Sequence, residues 1–246
     1  MLLKCLTGTI GHLIFFGLLA LLAIPGYLVY LVAHLFTKEP EFIFQRGSSY
    51  SYMLFFLITP RMVLKKELLD DVPDGAIYIA THQSILDFPA LSTFIKKYLF
   101  FANINLDKLP IVAKVCDLAG VKYITGRGID DVSQIYSGFE THLDKGHNII
   151  FFPEGTRHEG DRLKPFKRGA FRLSKKSGRP IVPIVVEGAS KLLPRKAFCF
   201  KTNKKVTIQV NMLEPLYPEN FDSDREMMDY AQQIMQKEKD RLCNIS

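Results

Sequence analysis

Two short segments of the chain concentrate residue types able to do chemistry. THQSILD (81–87) places His82 five residues before Asp87, and FPEGTR (152–157) sets Glu154, Gly155, Thr156 and Arg157 in a row. A neutral imidazole titrates near pH 6.5, roughly, and is the usual general base at neutral pH. A carboxylate on its far nitrogen fixes the tautomer and stabilises the imidazolium formed when the ring takes a proton. Such a pair can activate a hydroxyl group; the plainer reading of Asp87 is a helix-capping carboxylate. In FPEGTR, Gly155 lets the backbone turn sharply and approach a ligand. Arg157 offers a planar fork that grips phosphate in two places, and free backbone N–H groups in such a turn stabilise an oxyanion. The plainer reading here is that Glu154 and Arg157 pair with each other. Arg127, in TGRG (125–128), is a second candidate for the same phosphate, against the alternative of an exposed arginine in a Gly-rich turn.

These residues need elements to hold them. After Arg61 short β-rich runs alternate with helical stretches, the pattern of a βαβ domain. The spacing predicts strands at 76–80, 98–102, 121–124, 149–152 and 181–186. It predicts helices at about 84–96 with Ser84 as cap, 107–118, 129–145, and 169–177 ended by Gly178. Residues 197–211 read as a hairpin turning at Asn203, and 223–242 as an amphipathic cover with Met227, Met228, Ile234 and Met235 on its apolar side. Both motifs then come directly after strands, where side chains at the carboxyl ends of an open α/β sheet collect. The fold class is α/β: a mixed, mostly parallel sheet flanked by helices, carried by residues 61–246.

Residues 1–60 differ in kind. They hold only Lys4, Lys38, Glu39, Glu41 and Arg46 of the 57 charged residues, and 13–36 carry no charge at all. That run is long enough to cross a hydrocarbon core of about 30 Å. Pro25 and Gly26 divide it, however, and a second apolar stretch lies at 50–60, so an immersed helical hairpin is the other possibility. Residues 1–60 are therefore expected to form a membrane-embedded helical unit. The formal net charge of +7 is also uneven, because Arg162 to Lys205 holds 14 of the 32 Lys and Arg residues and a single acid, Glu187. Such a surplus suits an anionic partner, a lipid phosphate or an acidic protein among them. Cys5, Cys116, Cys199 and Cys243 form no CxxC pair, which suggests neither a zinc site nor a disulfide framework.

Taken together, THQSILD resembles an HxxxxD motif, FPEGTR a Glu-Gly-Thr-Arg motif, and VPIVV (182–186) a hydrophobic-Pro-hydrophobic block. In this order they are similar to the glycerophospholipid acyltransferases, and within that family to the 1-acyl-sn-glycerol-3-phosphate acyltransferases. The resemblance implies that His82, oriented by Asp87, acts as base on the 2-hydroxyl of a lysophosphatidate, which attacks a fatty acyl thioester to give phosphatidate. It implies Arg127 on the acceptor phosphate, Glu154, Gly155, Thr156 and Arg157 as acceptor and oxyanion wall, and Pro183 on the acyl side. No cofactor or metal is implied; acyl carrier protein or coenzyme A would bring the acyl group, at the cytoplasmic face of the cell membrane.

Two positions depart from the family pattern. Thr81 stands where Asn is common. Asn103 stands where a basic residue is frequent, which leaves room for a different lysophospholipid head group; Lys167 and Arg168, in KPFKRG, are the nearest replacement charges. A metal hydrolase using His142 or His147 is disfavoured, because their spacing of five misses the i, i+4 face. A non-catalytic binder of anionic membrane or nucleic acid built on the basic segment is the reading from another class; a nucleic-acid role would leave the apolar amino terminus and FPEGTR unexplained, and no nucleic-acid partner is expected.

Overall fold

Strand and helix alternate along the chain because its apolar runs are too short and too β-branched to do otherwise. The computed structural model describes residues 40–58, 62–102, 121–123, 129–195, 201–202 and 204–245, with 32, 35, 36 and 197 besides. In order these form α1 (Pro40–Ile58), β1 (Met62–Glu67), β2 (Ile77–Ala80), α2 (Asp87–Ser92), β3 (Tyr98–Ala102) and β4 (Val121–Tyr123). Next come α3 (Ile129–Asp144), β5 (Asn148–Phe151), α4 (Gly169–Ser177), β6 (Ile181–Glu187), α5 (Ala189–Leu192), β7 (Val206–Met212) and α6 (Asp224–Ile245). The strands make one sheet in the order β1-β7-β6-β2-β5-β3-β4. Every pairing is parallel except β6 with β7. The mixed, mostly parallel sheet flanked by helices is thus present.

Alternation along the central strands divides the core in two. Tyr78, Ala80, Ile150, Val182, Ile184 and Val186 face one side, covered by α1, α2 and α5. Ile77, Ile79, Ile149, Phe151, Ile181 and Val185 face the other, covered by α3, α4 and α6. Strands buried on both faces read as continuous apolar runs, which is why β2, β5 and β6 were legible. Pro183 sits inside β6, where its missing N–H would be costly in a central strand. It falls where the antiparallel ladder to β7 gives out, and its carbonyl still accepts Leu213 N–H at 2.9 Å.

Two expectations change. The helix at 84–96 is shorter: the N–H groups of Gln83 and Ser84 go to the Asp87 carboxylate, so α2 starts only at Asp87. Ser84 is not its cap; its hydroxyl donates to Leu193 O at 2.6 Å, while Leu86 occupies the N-cap position. The hairpin expected at 197–211 turns at Asn203, which with residues 198–200 lies outside the described residues; β7 forms its latter part, and Lys201 N–H bonds Leu192 O. The edge strand β1 was not foreseen, because MVLKKE is half polar and lies exposed towards its end. The expected helix at 107–118, Asn103, Arg127 and residues 1–31 lie outside the described residues. Among the described residues no helix is long and apolar enough to cross a membrane.

Gly188 links β6 to α5 at φ 90°, and a Cβ there would run into the Thr207 carbonyl of β7. A non-glycine residue with that conformation costs roughly 1–3 kcal/mol before any clash. Gly188→Ala is expected to lower the unfolding free energy by at least about 2 kcal/mol. Urea titration of the two proteins checks this, and coincident midpoints would show that β7 can shift at no cost.

Candidate active site

β2 and β5 are adjacent and parallel, so the two motifs leave the sheet side by side from the same end. Thr81 takes over where β2 stops. Its hydroxyl donates to Val186 O at 2.9 Å and accepts Val186 N–H at 2.8 Å, holding the chain to β6 for one residue more. A threonine thus provides both halves of the bonding that an asparagine amide could offer at this position.

His82 comes next. Its Nδ1 lies 2.9 Å from Asp87 Oδ2, and that same oxygen accepts Gln83 N–H at 2.7 Å and Ser84 N–H at 2.8 Å. Asp87 is 0% exposed, and its Oδ1 has no hydrogen-bond partner, so all of the ordering acts through Oδ2. Capping and orienting are therefore not alternatives: one oxygen gathers the turn and the ring together. The ring also stacks on Phe152 at 4.0 Å between centroids and 18° between planes. With Nδ1 carrying the proton towards Asp87, Nε2 is left as an acceptor, and the side chain keeps 20% of its surface exposed.

The FPEGTR turn is bound to the same segment. Glu154 is buried; its Oε1 accepts His82 N–H at 3.1 Å and its Oε2 accepts Lys164 N–H at 3.1 Å. Burial pushes its carboxyl above the usual range, opposed by those two hydrogen bonds and by the nearby His158 and His82. His158 N–H returns a bond to His82 O at 2.7 Å. Since both Glu154 oxygens are occupied by backbone, the expected alternative of a Glu154–Arg157 pair does not form. Arg157 is half-buried, with no carboxylate beside it among the described residues. Thr156 is likewise half-buried and makes no side-chain hydrogen bond among the described residues. Gly155 has φ 69°, and a Cβ there would meet Lys167 Cε and Nζ at 2.6 Å, so the lysine ammonium lies directly over the turn.

The basic segment is less of a patch than its sequence suggests. Arg168 forms a two-pronged pair with Asp224 at the start of α6, so it is not a free charge beside Lys167. Lys176 pairs with Glu140 and Arg179 with Asp144, both on α3. Lys175 donates to the carbonyls of Pro218 and Phe221. Much of the local surplus thus clamps α4 to α3 and α6, because acids 30 or more residues away in sequence come to meet it. Sequence reasoning missed Phe152 as the stacking partner of His82, although the strand's alternation continues into it. It also missed the backbone N–H of Lys164, for which no side-chain pattern gives a signal.

Residues 63–187, about half of the chain, match the family model described as Acyltransferase. The chain is 33% identical over 131 residues to the chloroplastic 1-acyl-sn-glycerol-3-phosphate acyltransferase BAT2 of Brassica napus, covering 51% of this chain and 38% of that one. It is 28% identical over 238 residues to the putative 1-acyl-sn-glycerol-3-phosphate acyltransferase acl-1 of Caenorhabditis elegans, covering 93% and 86%. The chain spans about two fifths of the length of the plant relatives it matches. In fold it is similar to the crystal structure of the 1-acyl-sn-glycerophosphate (LPA) acyltransferase PlsC from Thermotoga maritima, with a TM-score of 0.77 at 20% identity, covering 96% of this chain and 95% of that one. The matched span runs from β1 to the end of β6 and contains both motif turns, and on that match the chain belongs to the acyltransferase family.

Proposed function

We propose that the protein transfers a fatty acyl group from a thioester to the 2-hydroxyl of 1-acyl-glycerol-3-phosphate, giving phosphatidate. The observation that carries this reading is the His82 ring, tied through Nδ1 to a buried carboxylate at 2.9 Å with Nε2 left over. Nε2 takes the proton of the acceptor hydroxyl as its oxygen attacks the thioester carbonyl. The resulting tetrahedral oxyanion collapses, the C–S bond breaks, and the imidazolium returns its proton to the departing thiolate. Every proton is accounted for by one histidine. The curated relatives bearing this activity in their names support the choice of acceptor.

Acceptor binding falls to cations near the turn. In this reading Arg157, with no carboxylate beside it among the described residues, and Lys167, above Gly155, receive the acceptor phosphate together with Thr156. Arg127 completes the set in this proposal. Glu154 forms part of the acceptor wall in this proposal and also holds the His82 backbone. Acyl carrier protein or coenzyme A brings the acyl group. The amino-terminal residues 1–60 sit in the cell membrane with the catalytic domain at its cytoplasmic face. Exposed apolar side chains on one face of α1, Ile43, Tyr50, Met53 and Leu57, interrupted there by Arg46 over the Tyr50 ring, support the membrane side of this reading.

His82→Ala is expected to lower kcat at least about a hundredfold in detergent-purified protein, as loss of a positioned general base does. An unchanged rate would remove His82 from the chemistry. Arg157→Ala is expected to raise the acceptor KM about tenfold and leave the donor KM alone, since one charge-assisted hydrogen bond is lost. A lysolipid panel offered with labelled acyl carrier protein and acyl coenzyme A in competition identifies both substrates. For Glu154 the folded carboxyl titrates above its unfolded value, so its contribution to stability is fully present at pH below the unfolded carboxyl range. It is lost as pH rises through the raised value. The unfolding free energy of wild type relative to Glu154→Gln should therefore fall as pH rises above the ordinary carboxyl range, and a flat difference would contradict the assignment.

A further inference from the structure

Outside the two motif turns, the buried carboxylate and ammonium groups among the described residues are Glu187 and Lys239, 5% and 3% exposed. Glu187 ends β6 and Lys239 lies on α6; Lys239 Nζ stands 2.7 Å from Glu187 Oε2. The same oxygen accepts Gln83 Nε2–H at 2.6 Å, and Gln83 Oε1 accepts from Ser190 Oγ at 3.3 Å. Gln83 is itself 2% exposed, and its backbone N–H donates to Asp87 Oδ2. One residue thus touches the catalytic carboxylate through its main chain and a buried ion pair through its side chain.

The residues on either side of His82 are fastened to β6 and to the α5 segment beyond it. Thr81 bonds Val186, Gln83 bonds Glu187, and Ser84 bonds Leu193 O. Glu187 can remain a carboxylate in this interior only if a cation compensates it, because an unpaired buried charge is strongly unfavourable. Lys239 is that cation, and it comes from the far end of the chain. Three successive apolar contacts of α6, Met227, Ala231 and Met235, step by four, and the next step falls on Lys239. A lysine placed on the inward stripe of a helix has been set against a particular partner.

We propose that Lys239, Glu187 and Gln83 form a buried relay through which the carboxy-terminal helix holds the His82–Asp87 pair in its reactive geometry, making Lys239 and Gln83 positioning residues. This rests on the reading of His82 as the base. Loss of the relay frees the 83–84 turn to sample geometries in which Asp87 and the imidazole separate. It does not alter the cations that meet the acceptor. The effect therefore falls on kcat and on the Nδ1–H···Asp87 hydrogen bond, and not on KM.

The test uses the full chain in detergent. Gln83→Met removes the side-chain bonds while keeping the Glu187–Lys239 pair, and is expected to lower kcat about tenfold with both KM values within about twofold. The downfield proton resonance of His82 Nδ1–H, assigned by its absence in Asp87→Asn, should broaden or disappear in Gln83→Met. Lys239→Met should act in the same direction. If its unpaired Glu187 prevents folding, Glu187→Gln with Lys239→Met removes both charges and is expected to show the same broadening. Exchanging the pair, Gln83→Glu with Glu187→Gln, keeps a carboxylate and an amide in contact beside Lys239 and should restore both signals towards wild type. A folded Gln83→Met with wild-type kcat and an unchanged resonance overturns the proposal, as does a loss confined to melting temperature. Should wild type acylate no lysophosphatidate, the acceptor reading fails alone, because the resonance still reports on the relay without substrate.

Discussion

Asp87 has no exposed surface, and taking a carboxylate out of water is unfavourable unless donors replace its hydration. Three converge on one oxygen: two backbone N–H groups from the residues just before α2, and the ring of His82. This single demand dictates the path of residues 82–86. It shortens the helix that the sequence would otherwise start at Ser84, turns the imidazole towards the sheet, and puts Leu86 inside the core. Capping carboxylates ordinarily serve the helix they precede. Here the helix gives up its first turn to serve the carboxylate.

Such a turn keeps its shape only if its flanks cannot move. The sheet order puts β6 and β5 on either side of β2, and each contributes fastenings to the segment after it. From β6 come the bonds to Thr81 and Gln83; from the turn after β5 comes Glu154, accepting His82 N–H. The antiparallel insertion of β7 beside β6 matters for the same reason, since it forces the chain to leave β6 through Gly188 and fold α5 back over Gln83 and Ser84. A wholly parallel sheet would need a long crossover there and would leave that side of the turn open.

The sequence made some of this legible and concealed the rest for physical reasons. Strands buried on both faces announce themselves as unbroken apolar runs, so β2, β3, β5 and β6 could be read, and the motif turns with them. β1 could not, because an edge strand facing water on one side carries lysines that read as loop. The basic segment misled through its locality: counting charges along the chain cannot see that Asp224, Glu140 and Asp144 fold against Arg168, Lys176 and Arg179. Glu187 was visible as the lone acid of that segment. Its partners, 104 residues before it and 52 after it, were not. The histidine and aspartate were legible as a pair because the one bond between them spans five residues; long-range partners leave no spacing to recognise.

The two motif turns are also one structural object. Glu154 receives His82 N–H, His158 donates back to His82 O, and Phe152 supports the face of the ring. The backbone of His82 is held at both its amide and its carbonyl by the segment that also carries Arg157. A base must lie within hydrogen-bonding distance of the proton it removes, and a displacement of about 1 Å can cost two orders of magnitude in rate. On the proposed reading, bonding His82 and Arg157 to a common turn ties the atom that would take the proton to the charge that would anchor the acceptor. That link, made by the covalent chain, one amide–carboxylate and one backbone–backbone hydrogen bond, would suit an acceptor whose reacting hydroxyl and phosphate lie on the same small glycerol frame.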